Sequence, residues 1–204
     1  MRAARHRWGT PFRGGQIGLS DKSGCVDLTP FANDHARPRG AGNGAAAFFM
    51  RYWLLKSEPD EFSIDDLAAA KGRTTPWFGV RNYQARNFMR DQMRMGDRAF
   101  FYHSSCPEPG IAGIVEITAQ AYPDATQFDR KSPYHDPKAR PDAPRWFNVD
   151  VTLIEKLRFV PLALLRAHPE LARMRILQRG NRLSVTPVDP AEWKFVLKLA
   201  KRKA

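Results

Sequence analysis

Apolar positions in this chain come in short runs broken by turn signals, and the pattern begins abruptly. Residues 1–49 show no sustained period of 2 or 3.6, hold 8 of the 14 glycines and end near Gly40-Ala41-Gly42-Asn43-Gly44. A stretch of that kind reads as coil. Tyr52-Trp53-Leu54-Leu55 then opens a strand. Met50 therefore reads as the first residue of the folded part. Residues 1–49 read as an extension that is either disordered or the product of a start placed too far upstream.

Downstream, short helices and strands alternate. Ser63 precedes Ile64 to Ala70, with Asp65 and Asp66 in the first turn and Gly72 beyond, which predicts a capped helix. Asn82 to Met93 spaces Tyr83, Phe88 and Met89 helically, with arginines around them, and predicts a second helix. Ala99 to His103 and Gly110 to Ala121 predict two strands joined by a proline-rich turn, a hairpin-like pair. Tyr122 to Pro144 holds five of the sixteen prolines and reads as a long irregular excursion, of the kind that is functional or mobile. Phe147 to Ile154 reads as a half-buried strand, Pro161 to Ala167 as a short helix and Arg182 to Val185 as a last strand. Pro190 to Lys201 reads as a terminal helix. Short strands with interspersed helices suit an α+β domain with a small curled sheet.

Composition narrows the function classes. With 43% hydrophobic residues, wholesale disorder is excluded, and no apolar run is long enough to cross a bilayer. Two cysteines make no disulfide framework, so a cytoplasmic setting is expected, nuclear in a eukaryote. The net charge of +12 points toward nucleic acid. Yet residues 1–49 carry seven basic and three acidic side chains, and the last seven residues add four basic ones. Most of the excess thus sits at the ends, where charge is usually solvated.

His103 and Cys106 offer half of a metal site or a nucleophile and base, but they lack partners, and no metal or other cofactor is expected. Gly110 and Gly113 are only a fragment of a phosphate loop. A more informative set lies at the ends of predicted elements: Ser57 and Glu58, Trp77 with Val80, Arg81, Asn82 and Asn87, then Tyr102, His103 and Ser104. An indole to stack on and short polar groups to meet a base edge are what nucleobase recognition needs. The plainer reading makes Trp77 and Tyr102 core aromatics, Arg81 and Glu58 an ion pair, and Asn82 a helix cap.

Tyr52-Trp53-Leu54-Leu55-Lys56-Ser57-Glu58-Pro59, Trp77-Phe78-Gly79-Val80-Arg81-Asn82-Tyr83-Gln84-Ala85-Arg86-Asn87, Phe101-Tyr102-His103-Ser104, Gly110-Ile111-Ala112-Gly113 and Arg182-Leu183-Ser184-Val185 stand in an order and spacing that resembles the EVE domain. The resemblance spans residues 50–199, leaving 200–204 as a basic tail. It implies a PUA-like fold, a pseudo-barrel of mixed strands with flanking short helices. It also implies a binding module rather than an enzyme, taking a modified base, by analogy a modified cytosine in DNA, or RNA or the free nucleoside. On this reading the base stacks on Trp77, with Tyr102 closing the other face. Ser57, Glu58, Val80, Asn82, Asn87, His103, Ser104, Arg182 and Ser184 border it, and Arg81 and Arg86 take phosphates. Lys131, Lys138 and Arg140 of the long loop are further phosphate candidates. The alternative is a PUA-like amidohydrolase acting on an acylated base through Lys56 and Glu58. Against it, a carboxylate beside the lysine raises its pKa. No membrane partner is expected.

Overall fold

The computed structural model describes residues 50–201, so the readings for residues 1–49 and for 202–204 of the basic tail lie outside the described residues. In chain order the elements are β1 (Tyr52–Ser57), α1 (Ile64–Ala69), β2 (Thr74–Pro76), α2 (Tyr83–Asn87), β3 (Arg98–His103) and β4 (Gly110–Ile117). They continue with β5 (Tyr122–Pro123), β6 (Phe147–Asn148), β7 (Asp150–Pro161), α3 (Leu162–Arg166), β8 (Val185–Val188) and α4 (Pro190–Lys201). A six-stranded sheet runs β2-β7-β4-β3-β1-β8, and β5 pairs with β6 beside it. Every neighbour in the large sheet is antiparallel except β1 with β3. The expected α+β architecture, a curled mixed sheet with short helices, is what the chain adopts.

Alternation along the strands divides the core into two layers. Trp53 and Leu55 of β1 and Phe101 of β3 face one side, where Trp77, Met89 and Leu67 cover them. Leu54 of β1 and Phe100 and Tyr102 of β3 face the other side, covered by Trp193, Val196 and Leu199 of α4. Trp193 stacks on Phe100 with ring centroids 4.0 Å apart. The ladder between β3 and β4 shifts at Phe101/Tyr102, and that between β4 and β7 shifts twice. Such bulges add local twist and curl the sheet. Gly113, read above as part of a phosphate-loop fragment, is instead where β4 meets β7 closely: a Cβ there would lie 2.8 Å from the Glu155 carbonyl oxygen.

Four expectations change in detail, the first being the strand expected over Gly110 to Ala121, which ends at Ile117. The helix expected over Asn82 to Met93 is a short α-helix followed by a π-helical turn over Phe88–Gln92. The last strand begins at Val185, because the Asn181 side chain accepts from Leu183 N–H and turns the backbone out of the ladder. The strand expected over Phe147 to Ile154 is interrupted at Val149 and then runs on to Pro161. The stretch from Tyr122 to Pro144 is irregular beyond β5, as expected, and one buried amide is central to holding it. Gln127 Nε2 donates to the Asp124 and Trp146 carbonyls, while its Oε1 accepts from the Arg145 and Trp146 N–H groups. All four hydrogen-bonding positions of that side chain are used.

Candidate functional site

A cavity of 480 Å³ opens where the C-terminal ends of β1 and β3 meet the segment before β8. That size lies within the range of about 300–1,000 Å³ for small-molecule sites. Backbone pairing brings its walls together. Ser104 N–H donates to the Ser57 carbonyl at 2.8 Å, and Lys56 N–H to the Ser184 carbonyl at 2.8 Å. Ser105 then turns the chain with a φ of 52°, uncommon outside glycine. The Ser57 hydroxyl donates to the Phe62 carbonyl at 2.6 Å, which leaves its lone pairs as acceptors.

The opposite wall comes from Trp77 to Asn82 and from Tyr134 of the long loop. Gly79 has a φ of +79°, and a Cβ on it would lie 2.8 Å from the Tyr134 ring. Only glycine lets the two segments approach so closely. Arg81 binds them together. Its Nε and Nη2 donate to the Tyr134 carbonyl, Nη2 also to Thr126 Oγ1, and Nη1 to the Val80 carbonyl and the Asp124 carboxylate. These occupy all five N–H bonds of the guanidinium. Asp124, only 1% exposed, also accepts from Gly79 N–H at 3.0 Å.

Ser57, Glu58, Trp77, Val80, Arg81, Asn82, Ser104, Arg182 and Ser184 are brought together around this cavity. Asn87, Tyr102, His103 and Arg86 are not. Tyr102 is 2% exposed and belongs to the core layer beneath α4, because β3 alternation turns it away from Trp77; it therefore closes no base site. His103 Nε2 accepts from Ile64 N–H at 3.1 Å and so holds the start of α1. Arg86 donates from Nη1 to the Arg145 carbonyl and from Nε to Asn87 Oδ1, and neither Arg86 nor Asn87 lines the cavity. Arg81 has no donor left for a phosphate, and its ionic partner is Asp124 rather than Glu58. Trp77 is 1% exposed and edge-on to Phe101, with centroids 5.5 Å apart, so it forms the floor of the cavity instead of an open platform. Asn82 both caps α2, its Oδ1 accepting from Gln84 and Ala85 N–H, and stands exposed at the rim.

Tyr134 and Phe78, half-buried and edge-to-face at 5.9 Å, are the aromatic walls that the sequence reading missed. The signal was the long loop itself, whose residues pair with Arg81 only in three dimensions. Burial pushes the Tyr134 phenol above its ordinary pKa, so it remains a hydrogen-bond donor at neutral pH. Lys56 is half-buried, and burial lowers its pKa; no ion pair joins it to Glu58 among the described residues. Glu58 therefore does not hold Lys56 charged through a direct contact.

Burial also lowers the His103 pKa, with Asp65 opposing. The unfolded imidazole binds a proton near pH 6.5 while the folded one resists it. Stability contributed by His103 is thus present above that pH and lost as the pH falls through it. We expect the melting temperature of the wild type to fall across this window, and that of His103→Gln, which keeps an acceptor, to fall less. Equal acid sensitivity of the two would remove the assignment.

Among the described residues no group of three metal-capable side chains occurs, and no helix is long and apolar enough to cross a membrane. The cavity thus presents hydroxyl, amide, carboxylate and ammonium groups around aromatic walls, an arrangement suited to holding a flat polar molecule.

The EVE domain matches residues 51–199. Human thymocyte nuclear protein 1 is 45% identical over 169 residues, 74% of this chain and 75% of that protein. A crystal structure from Pseudomonas putida is 51% identical with a TM-score of 0.70, and it covers 73% of this chain and 99% of that one. The crystal structure of human THYN1 protein in complex with 5-methylcytosine containing DNA is 43% identical with a TM-score of 0.71, covering 76% and 99%.

Proposed function

The chain belongs to the EVE domain family, and from that premise we propose that it is a binding module which takes a modified nucleobase, with cytosine methylated at C5 as the first candidate, into the 480 Å³ cavity. The observation that carries this is the pairing of aromatic walls, Tyr134 and Phe78, with short polar groups at Ser57, Asn82, Ser104 and Ser184. The human relative solved with 5-methylcytosine containing DNA supports the choice of ligand. A base entering the cavity packs against the Tyr134 wall above the Trp77 floor, and the polar rim meets its edge. Extruding a base from a duplex costs a few kcal/mol, so a group that weakens pairing or fills the floor decides what is retained. No turnover is part of this reading, and the domain is taken to be residues 50–199.

Titration of modified and unmodified nucleosides and oligonucleotides tests it. The modified base is expected to bind at least about tenfold tighter than the unmodified one. Asn82→Ala and Ser104→Ala should each lose about 1–3 kcal/mol, the cost of an unpaired buried polar atom. Tyr134→Ala should lose about 1–3 kcal/mol of stacking. No preference among bases, or wild-type affinity in all three variants, overturns the reading. One observation favours a second reading: the half-buried Lys56, with its lowered pKa, shares the cavity with Glu58. Release of the acyl group from an acylated nucleoside, abolished in Lys56→Ala, would establish a hydrolase instead.

A further inference from the structure

Beside the base cavity lies a second, larger concavity of 720 Å³ that nothing above employs. Its walls are residues 172–183 on one side and Gln84 of α2 on the other. Arg173, Arg175, Arg179 and Arg182 all line it, and all four are exposed. The two concavities adjoin. Arg182 lines both, Leu183 of the groove is followed by Ser184 of the cavity, and Gln84 of the groove stands two residues after Asn82 of the cavity.

How the groove is fastened shows what its arginines are free to do. Gln178 Nε2 donates to the Ala172 carbonyl at 2.6 Å, and Asn181 Nδ2 to the Arg175 carbonyl at 2.6 Å. Asn181 Oδ1 accepts from Leu183 N–H at 3.0 Å. The segment is thus held by amides. Among the described residues, the guanidinium groups of Arg175, Arg179 and Arg182 make no hydrogen bond or ion pair, in contrast to Arg81, whose donors are all used. The charge of Arg173 acts on a carboxylate, Glu192 of α4. Unpaired like charges on one wall repel one another unless a polyanion sits between them. Guanidinium is also the side chain best matched to phosphate oxygens.

We propose that this groove holds the phosphodiester strand that flanks the extruded base, through Arg175, Arg179 and Arg182. The inference rests on the base-binding reading above and deepens it, since it makes the ligand a nucleic-acid strand rather than a free nucleoside. It also moves the phosphate contacts from Arg81 and Arg86 to the segment before β8. Phosphates fix the register of the strand, and the cavity reads the base.

The test uses the full chain, a duplex DNA carrying 5-methylcytosine, the same duplex unmodified, and 5-methyl-2′-deoxycytidine. Affinity is measured against salt for the wild type, for Arg175→Ala/Arg179→Ala, and for the charge-matched control Lys194→Ala/Lys198→Ala on α4. Arg182 is left in place because it also borders the base. Loss of two phosphate contacts should flatten the slope of log K against log salt by about 1.8 on either duplex. The same loss should weaken both duplexes at least about tenfold and leave nucleoside binding unchanged. An unchanged slope in the arginine pair, or an equal change in the control, overturns the proposal. Failure of the base reading looks different: modified and unmodified duplexes would bind alike, whatever the slope.

Discussion

Arg81→Ala is expected to lose about 3–5 kcal/mol of folding stability, read as a fall in the urea midpoint, because it leaves a buried carboxylate without its counter-charge. Asp124 is 1% exposed, and its ion pair to Arg81 measures 2.7 Å. The same guanidinium holds Thr126 and Tyr134, so the loss also unfastens the wall of the cavity. Arg81→Lys should recover little of this, since an ammonium has three donors at one point where the guanidinium spreads five. Asp124→Asn removes the charge and keeps the shape, and it should fall between wild type and Arg81→Ala. A midpoint unchanged within error in Arg81→Ala would show that the loop stands without the arginine. Because no donor of Arg81 faces outward, the salt dependence of DNA binding in Arg81→Lys should match the wild type.

Trp77→Ala should cost about 3–5 kcal/mol as well, here through a cavity left in the core. The indole is 1% exposed, edge-on to Phe101, and its backbone N–H donates to the Val149 carbonyl at 2.7 Å. Trp77→Phe retains an aromatic body and should lose less. Thermal denaturation separates this from a role as an open stacking surface. A Trp77→Ala protein that melts with the wild type yet no longer binds a modified base would restore the stacking role expected from the sequence.

Elements with strong local signals were legible. The capped helix at Ser63 and the terminal helix from Pro190 to Lys201 announce themselves by cap and proline chemistry, and both form. The pairing of β3 with β4 followed from a turn of prolines and glycine between apolar runs. What stayed hidden depends on partners far away in sequence. Tyr102 and Phe101 are adjacent and both aromatic, and only the sheet's alternation, fixed by β1 and β4, decides which of them faces Trp77. Arg81 looked like a phosphate ligand because its partner carboxylate lies on a loop with no pattern of its own. The groove arginines went unread for a related reason: a net charge counted along the chain does not reveal four side chains on one wall. Strand β2 was missed because Thr74–Pro76 is too short to show alternation and is held by β7.

β1 lies between two strands that the ribosome delivers much later. Tyr52 pairs with Arg98 on one side and with Val188 on the other. Non-local pairings of this kind form slowly, because a long loop must close before any contact rewards it. During synthesis β1 therefore waits with an open edge, exposed to chaperones and to other nascent chains. Arg182 and Ser184 sit just ahead of β8 and take their places as that strand docks. The cavity is thus among the last features to be assembled, and a chain still emerging from the ribosome holds neither this cavity nor the arginine-lined groove beside it.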